Sequence, residues 1–304
     1  MDVTCFAQHR RKVHNAAVTV QPEFTMSSLI PGQPSLVAPG VWRILALNPG
    51  MMTGPGTNSY LLASDQGLVL LDPGPEDAHH ADNLRAAATE IGQPITCVLV
   101  THTHRDHSPN AALFGAVRRL GPLPPDDGLQ DEAWQPDQIL ADGDCLSLGE
   151  GRTLRVIATP GHVSNHLCYL LEEEGVLFSG DHLIQGSTVV IAPPSGSMAD
   201  YLASLRKLEH ESIQVMAPGH GDLIIEPMDY ISHTIGHRLR REEKVIRALT
   251  QHPDSQVSEL VPGVYDDVPV FLHGVATMSL LAHLLKLEQE QRARRDAEER
   301  WVLL

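Results

Sequence analysis

The 304-residue sequence is short of positive charge: 22 Lys and Arg against 38 Asp and Glu leave a formal net charge of −16. Broad binding to phosphate backbones depends on clustered basic side chains, so that balance argues against it. A nucleic acid gripped locally by metal ions stays open. Cysteine is scarce as well. Cys5, Cys97, Cys145 and Cys168 lie far apart and form no CxxC pair, so free thiols in a reducing compartment are expected. No apolar run reaches the length of a membrane span. The first 26 residues carry basic side chains without the continuous apolar segment of a secretory signal. Residues 1–26 therefore read as a poorly ordered extension, no membrane association is expected, and the cytoplasm is the default location. With 42% apolar and 20% charged residues, the rest is expected to build a packed core.

Histidine is what the chain has in excess, 17 in all, several in tight groups. From Gly40 onward short apolar runs alternate with Gly, Pro and Asn. Val41–Leu47, Ser59–Ala63, Gly67–Leu71, Ile95–Val100, Leu154–Ala158, Leu167–Leu171, Val176–Ser179 and Gln214–Ala217 read as strands, and Ala78–Ile91 and Asp200–His210 as helices. The Pro- and Asp-rich residues 120–138 read as a surface loop or irregular insertion. After Gly221 the character changes. Pro227–Thr250 is a long charged helix, Ser255–Val261 and Val270–Glu288 are further helices, and WVLL closes the chain as a strand. Either these helices cover the core or they form a small appended domain.

Several strands end on a ligand-type residue. ITCVLV runs into THTHRDH, RVIATPGH and QVMAPGH end on His162 and His220, and GVLFSGD ends on Asp181. Residues two apart on an extended segment share a side, so His102 and His104 can grip one ion together, with Asp106 and His107 on the tightening turn beyond. Four such residues within six positions at the end of a buried strand are costly to bury unpartnered. The expected first site is His102, His104 and His162, and the second Asp106, His107 and His220. Asp181, with two oxygens, bridges them. Three protein ligands and an open position mark a catalytic rather than a structural zinc. The donor set suits two zinc ions, with manganese or iron as alternatives.

This ordered set, with Asp72 ahead of it, resembles the metallo-β-lactamase superfamily from about Gly40 to Asp222. NPGMMTGPGTNSYLL, THTHRDHS, ATPGHVSNHLCYLLEEEGVLFSGD, APGHG, the YISH helix and LLAHLLKLEQE resemble its metallo-β-lactamase-like protein 2 group, which includes a single-strand-specific endoribonuclease. The resemblance implies a four-layer αββα sandwich, an α/β fold, over residues 27–226 and a winged-helix-like helical domain over 227–304. It also implies that Asp72 supports the ligand loop rather than binding metal. His104 departs from the glutamate of the oxygen-reducing di-iron branch. The 39 positions from Asp181 to His220 leave no room for an inserted β-CASP domain, and Asp181 itself departs from the true class B β-lactamases.

Two bound cations would make a water between them acidic near neutral pH, so the chain is expected to be a dinuclear hydrolase using a metal-bridging hydroxide. Asp106 is the candidate for orienting that nucleophile. His166, four residues after His162, is a candidate second catalytic or positioning group. His182, His79–His80 and the His233–His237 pair read as structural or surface histidines. Asn58, residues 53–57, Ser187 and Thr188 are candidates to border the pocket. The bond cleaved is left open. Single-stranded RNA predicts basic or aromatic side chains along the groove between the domains. A small thioester, ester or lactone predicts an enclosed, mostly apolar pocket. A non-catalytic binding module is the third reading, and a homodimer is a superfamily-style expectation.

Overall fold

The structure, a computed structural model, describes residues 29–304; the extension expected over residues 1–26 lies outside them. Two sheets form its centre. The first runs β1 (Ser35–Ala38), β2 (Val41–Leu45), β3 (Asn58–Ser64), β4 (Gly67–Leu71), β5 (Ile95–Leu99), β6 (Arg118–Gly121) and β7 (Gln138–Ile139), neighbours in that order. The second is ordered β12 (Val215–Pro218), β11 (Val176–Gly180), β10 (Leu167–Leu171), β9 (Arg152–Ala158) and β8 (Cys145–Gly149). The first four strands pair antiparallel, and the sheet turns parallel where helix α1 (Ala78–Ile91) carries the chain from β4 to β5.

The sequence of β4, GLVLL, is apolar at every position because both its faces are covered. Side chains alternate along the strand. Val69 and Leu71 meet Leu99, Val156, Tyr169 and Phe178 between the sheets. Leu68 and Leu70 face the other way, onto Leu84, Ala87 and Ala88 of α1. The second sheet repeats the pattern, with Leu170, Leu177 and Met216 under Tyr201, Leu202 and Leu205 of helix α2 (Met198–Leu208). The result is the expected four-layer αββα sandwich.

Residues 120–138 are less irregular than their composition implies. Their ends are β6 and β7, paired in parallel through Leu120 and Gln138. Strands this short and polar are stabilised by a sheet edge supplied from elsewhere in the chain, and carry no two-residue period of their own. The helix boundaries also shift: α2 begins two residues early, where the Ser197 side chain accepts from the Asp200 N–H.

Helix α3 (Pro227–Gln251) joins two cores. Ile231 packs under the second sheet, while Val245, Ala248 and Leu249 belong to a separate cluster. That cluster is completed by α4 (Val257–Val264), α5 (His273–Gln289) and the hairpin of β13 (Ala293–Arg295) and β14 (Trp301–Leu303). Among the described residues, Val270–Gln289 is the one segment long and apolar enough to cross a membrane by length and composition. Sequence reading expects a helix over Val270–Glu288 but no apolar run of membrane-spanning length. Here Ala276, Leu280, Leu284 and Leu287 are buried in the small domain's core.

Candidate metal centre

The ligand-type residues converge at one edge of the sandwich, beyond the C-terminal ends of β5 and β11 and beside that of β12. His102, His104 and His162 form one group, Asp106, His107 and His220 a second, and His102, His107 and Asp181 a third between them, the donor atoms of each lying within 4.8 Å of one another. Asp181 faces both sides, Oδ1 at 3.4 Å from Nε2 of both His107 and His220, and Oδ2 at 3.7 Å from His162 Nε2. Asp106 Oδ2 is 3.2 Å from His220 Nε2 and 3.6 Å from His107 Nε2. All seven predicted ligands are therefore brought together.

The outward ring nitrogens show how the imidazoles are aimed. His162 Nδ1 donates to the Val190 carbonyl at 2.7 Å, and His220 Nδ1 to that of Gly56 at 3.1 Å. His107 Nδ1 lies 3.0 Å from Asp72 Oδ2, and His102 Nδ1 3.0 Å from Thr101 Oγ1. A proton fixed on the outer nitrogen leaves the inner lone pair free for a metal. Asp72 supports the loop as the resemblance implied, accepting from the Thr101 N–H at 2.7 Å and its hydroxyl at 2.8 Å. Sequence reasoning missed Thr101, whose hydroxyl carries the connection to His102. Asp72→Asn keeps the shape but loses this charge, and metal affinity is expected to fall roughly 10- to 100-fold, measured by competition with a chromogenic chelator.

Two glycines let the parts approach. A Cβ on Gly219 would come within 2.6 Å of Asp181 Oδ1 and 2.8 Å of the His107 ring. One on Gly180, whose φ is +47°, would meet Thr101 Oγ1 at 2.7 Å and His166 Nε2 at 2.8 Å.

The donor set fits divalent ions. His107 Nε2, His220 Nε2 and Asp181 Oδ1 are buried without a hydrogen-bond partner, all turned toward the same small space. Their protonation reflects that crowding. Burial disfavours charge on His220, yet the Asp181 and Asp106 carboxylates push its pKa up to about 10. Burial likewise opposes ionisation of Asp106, but His107 and His220 hold it down at about 2. His104 is lowered to about 4 by burial and by His162, and His102 is also lowered, by burial and by His107. This is a set of buried lone pairs and carboxylates that a cation would satisfy.

His166 is fully buried behind the cluster, its Nδ1 2.9 Å from Thr159 Oγ1 and its Nε2 accepting from the Asp181 N–H at 3.1 Å. It holds the backbone of Asp181 and does not line the cavity. His182 is buried against Tyr201. Two surface readings are corrected. His80 is buried, 2.9 Å from Ser59 Oγ, because α1 packs onto β3. His237, read as a solvated helix face, is half-buried and lines the cavity, while His233 is exposed. Asn58 does not border the cavity; its side chain donates to the Pro218 and Gly221 carbonyls and fixes the His220 turn.

The cluster opens into a cavity of about 720 Å³ whose walls come from both domains. Met51, Met52 and Pro55 border one side, Val163, Ile184, Val189 and Val190 the floor, and Tyr265, Val268, Leu272, Val275, Ala276 and Met278 the far wall. Ser187 and Thr188 line it as expected.

A profile of the metallo-beta-lactamase superfamily matches residues 52–220. The chain belongs to that superfamily, which is generally hydrolytic. A beta-lactamase associated winged helix domain matches residues 257–301, within the region given to the appended domain. The chain is 32% identical to a Beta-lactamase-like protein 2 homolog of Drosophila melanogaster, over 88% of its own length and 94% of that protein. It is 33% identical to an atrochrysone carboxyl ACP thioesterase of Aspergillus fumigatus, over 72% and 69%. A beta-lactamase domain protein from Burkholderia ambifaria has the same fold, with a TM-score of 0.80 at 22% identity over 93% of this chain and 97% of that one.

Proposed function

We propose that this superfamily hydrolase cleaves an acyl bond, a thioester foremost, in substrates with an extended apolar part, with two divalent ions held by the seven ligands. Zinc suits the imidazole and carboxylate donors, with manganese or iron as alternatives. The observation that carries the reading is the cavity: it starts at the ligand cluster and is walled mainly by apolar side chains. RNA cleavage needs a basic or aromatic path instead. Among the described residues no lysine lines the cavity, Arg241 is paired with Asp267 at 2.7 Å, Arg238 is almost fully buried, and Tyr265 is a single aromatic ring rather than a stacking path. The name of the A. fumigatus relative, a thioesterase, supports the same choice.

When bound, the two ions would supply positive charge for the reacting carbonyl and a more acidic water. The chain's own residues do the rest. Asp106, ionised and bordering the cavity, accepts a hydrogen bond from the attacking water and orients it. His166 and Asp72 keep Asp181 and His107 in register. The apolar wall excludes bulk water and holds the acyl chain.

The test is a series of acyl thioesters from butyryl to dodecanoyl beside labelled single-stranded RNA, with and without chelator. Chelator-sensitive thioester hydrolysis is expected, with kcat/KM rising up to about fourfold per methylene while the chain stays inside the cavity. Metal-dependent RNA cleavage with no turnover of any thioester would overturn the proposal.

A further inference from the structure

One side chain in the cavity does not fit an apolar wall. Arg238, on α3, lines the cavity yet is only 4% exposed. Its guanidinium donates to the Val189 carbonyl and lies over the Tyr201 ring, 5.2 Å from the centroid. Its Nε is buried without a partner. Among the described residues no carboxylate lies within 4 Å of it, whereas Arg43, Arg152, Arg155 and Arg241 are each paired. Buried charge is ordinarily paired, because desolvating an ion costs more than neutral contacts return. His237, the preceding residue, also lines the cavity and has a buried Nδ1 without a partner. Asp106, Asp127 and Asp181 border other parts of the cavity and are not paired with Arg238. An unpaired guanidinium and a neighbouring imidazole nitrogen without a partner thus face a cavity whose far wall is mainly apolar.

We infer that Arg238, with His237 beside it, forms a subsite for a carboxylate at the far end of an acyl substrate. The inference rests on the acyl-hydrolase reading for what occupies the cavity. A planar guanidinium matches a carboxylate through paired N–H donors, which a methyl-ended chain cannot engage. The substrate class is therefore an acyl chain bearing a second, distal carboxylate. Arg238 is also tied to the metal centre. Val189, which it holds, precedes Val190, whose carbonyl fixes His162. A purely structural role would therefore weaken every ligand alike, while a subsite changes the ratio between ligands.

The experiment is calorimetric titration of the full metal-loaded chain with α,ω-dicarboxylates from glutarate to sebacate, each against the monocarboxylate of equal length. The monocarboxylate accounts for the group taken by the metal centre. At one or more lengths the dicarboxylate is expected to bind roughly 10-fold tighter. Arg238→Met removes that difference, and Arg238→Lys retains part of it. Equal affinities at every length in the native protein overturn the inference without recourse to a variant. So does a preference that survives Arg238→Met, or Arg238-dependent affinity for a short single-stranded RNA in place of any dicarboxylate. Binding is read without turnover. Arg238-dependent dicarboxylate binding with no thioester hydrolysis sinks the acyl-hydrolase reading and keeps the subsite; the reverse pair of results does the opposite.

Discussion

Asp181→Ala lowers kcat/KM for thioesters by at least about 10³-fold, because metal-borne charge is worth several kcal/mol to a hydrolytic transition state and 1.36 kcal/mol is tenfold in rate. Asp181 is the residue to change because its oxygens reach both groups of ligands: His107 and His220 on one side, His162 on the other. Losing it leaves Asp106 alone beside His107 and His220 and removes the carboxylate beside His162. The substitution is small and the backbone is separately held by His166 and by the Gly219 N–H donating to Gly180, so folding should survive. Metal analysis and steady-state kinetics on the folded variant check this together. Activity within tenfold of the native protein would remove Asp181 from its bridging place.

Trp301→Ala costs about 3–5 kcal/mol of stability, the range for truncating a large aromatic in a packed core. Trp301 has no exposed surface and sits among Leu260, Val264, Leu280, Leu284 and Leu287. Its backbone exchanges hydrogen bonds with Ser255, at 2.9 and 3.3 Å, so β14 is tied to the turn before α4. The cavity's far wall is made of residues from the same small domain, Tyr265, Leu272 and Ala276. Loosening that domain should therefore flatten the dependence of kcat/KM on acyl chain length before it touches the metal centre. Chemical denaturation followed by circular dichroism measures the stability, and the thioester series measures the wall. A loss below about 1 kcal/mol would mean that the cluster around Trp301 does not hold the domain together.

The fold was legible wherever covalent neighbours carry the signal. GLVLL and LCYLL are continuous apolar runs because each is buried on both faces, ITCVLV is buried from Cys97 onward, and each holds a strand. The ligand cluster was legible because six residues of THTHRDH hold four of the seven ligand positions. What sequence left out depends on partners remote in the chain. His80 is buried by β3, and its Ser59 partner is 21 residues away. His237 lines a cavity closed by α5, which begins 36 residues later. The groups aiming His162 and His220 are the Val190 and Gly56 carbonyls, which any residue type would supply. β6 and β7 are stabilised by the sheet edge they join rather than by their own pattern.

Zinc titrated calorimetrically into metal-free protein at two pH values tests the two-ion centre most directly. His220, held up at about 10, and His107, also raised by the surrounding carboxylates against the effect of burial, carry protons at neutral pH that a metal must displace. Two equivalents of zinc should bind with proton release, and affinity should fall roughly tenfold per pH unit for each proton displaced as the pH drops from 8 to 6. Binding of less than one equivalent, or an affinity unchanged between those pH values, would contradict a centre built from these seven residues.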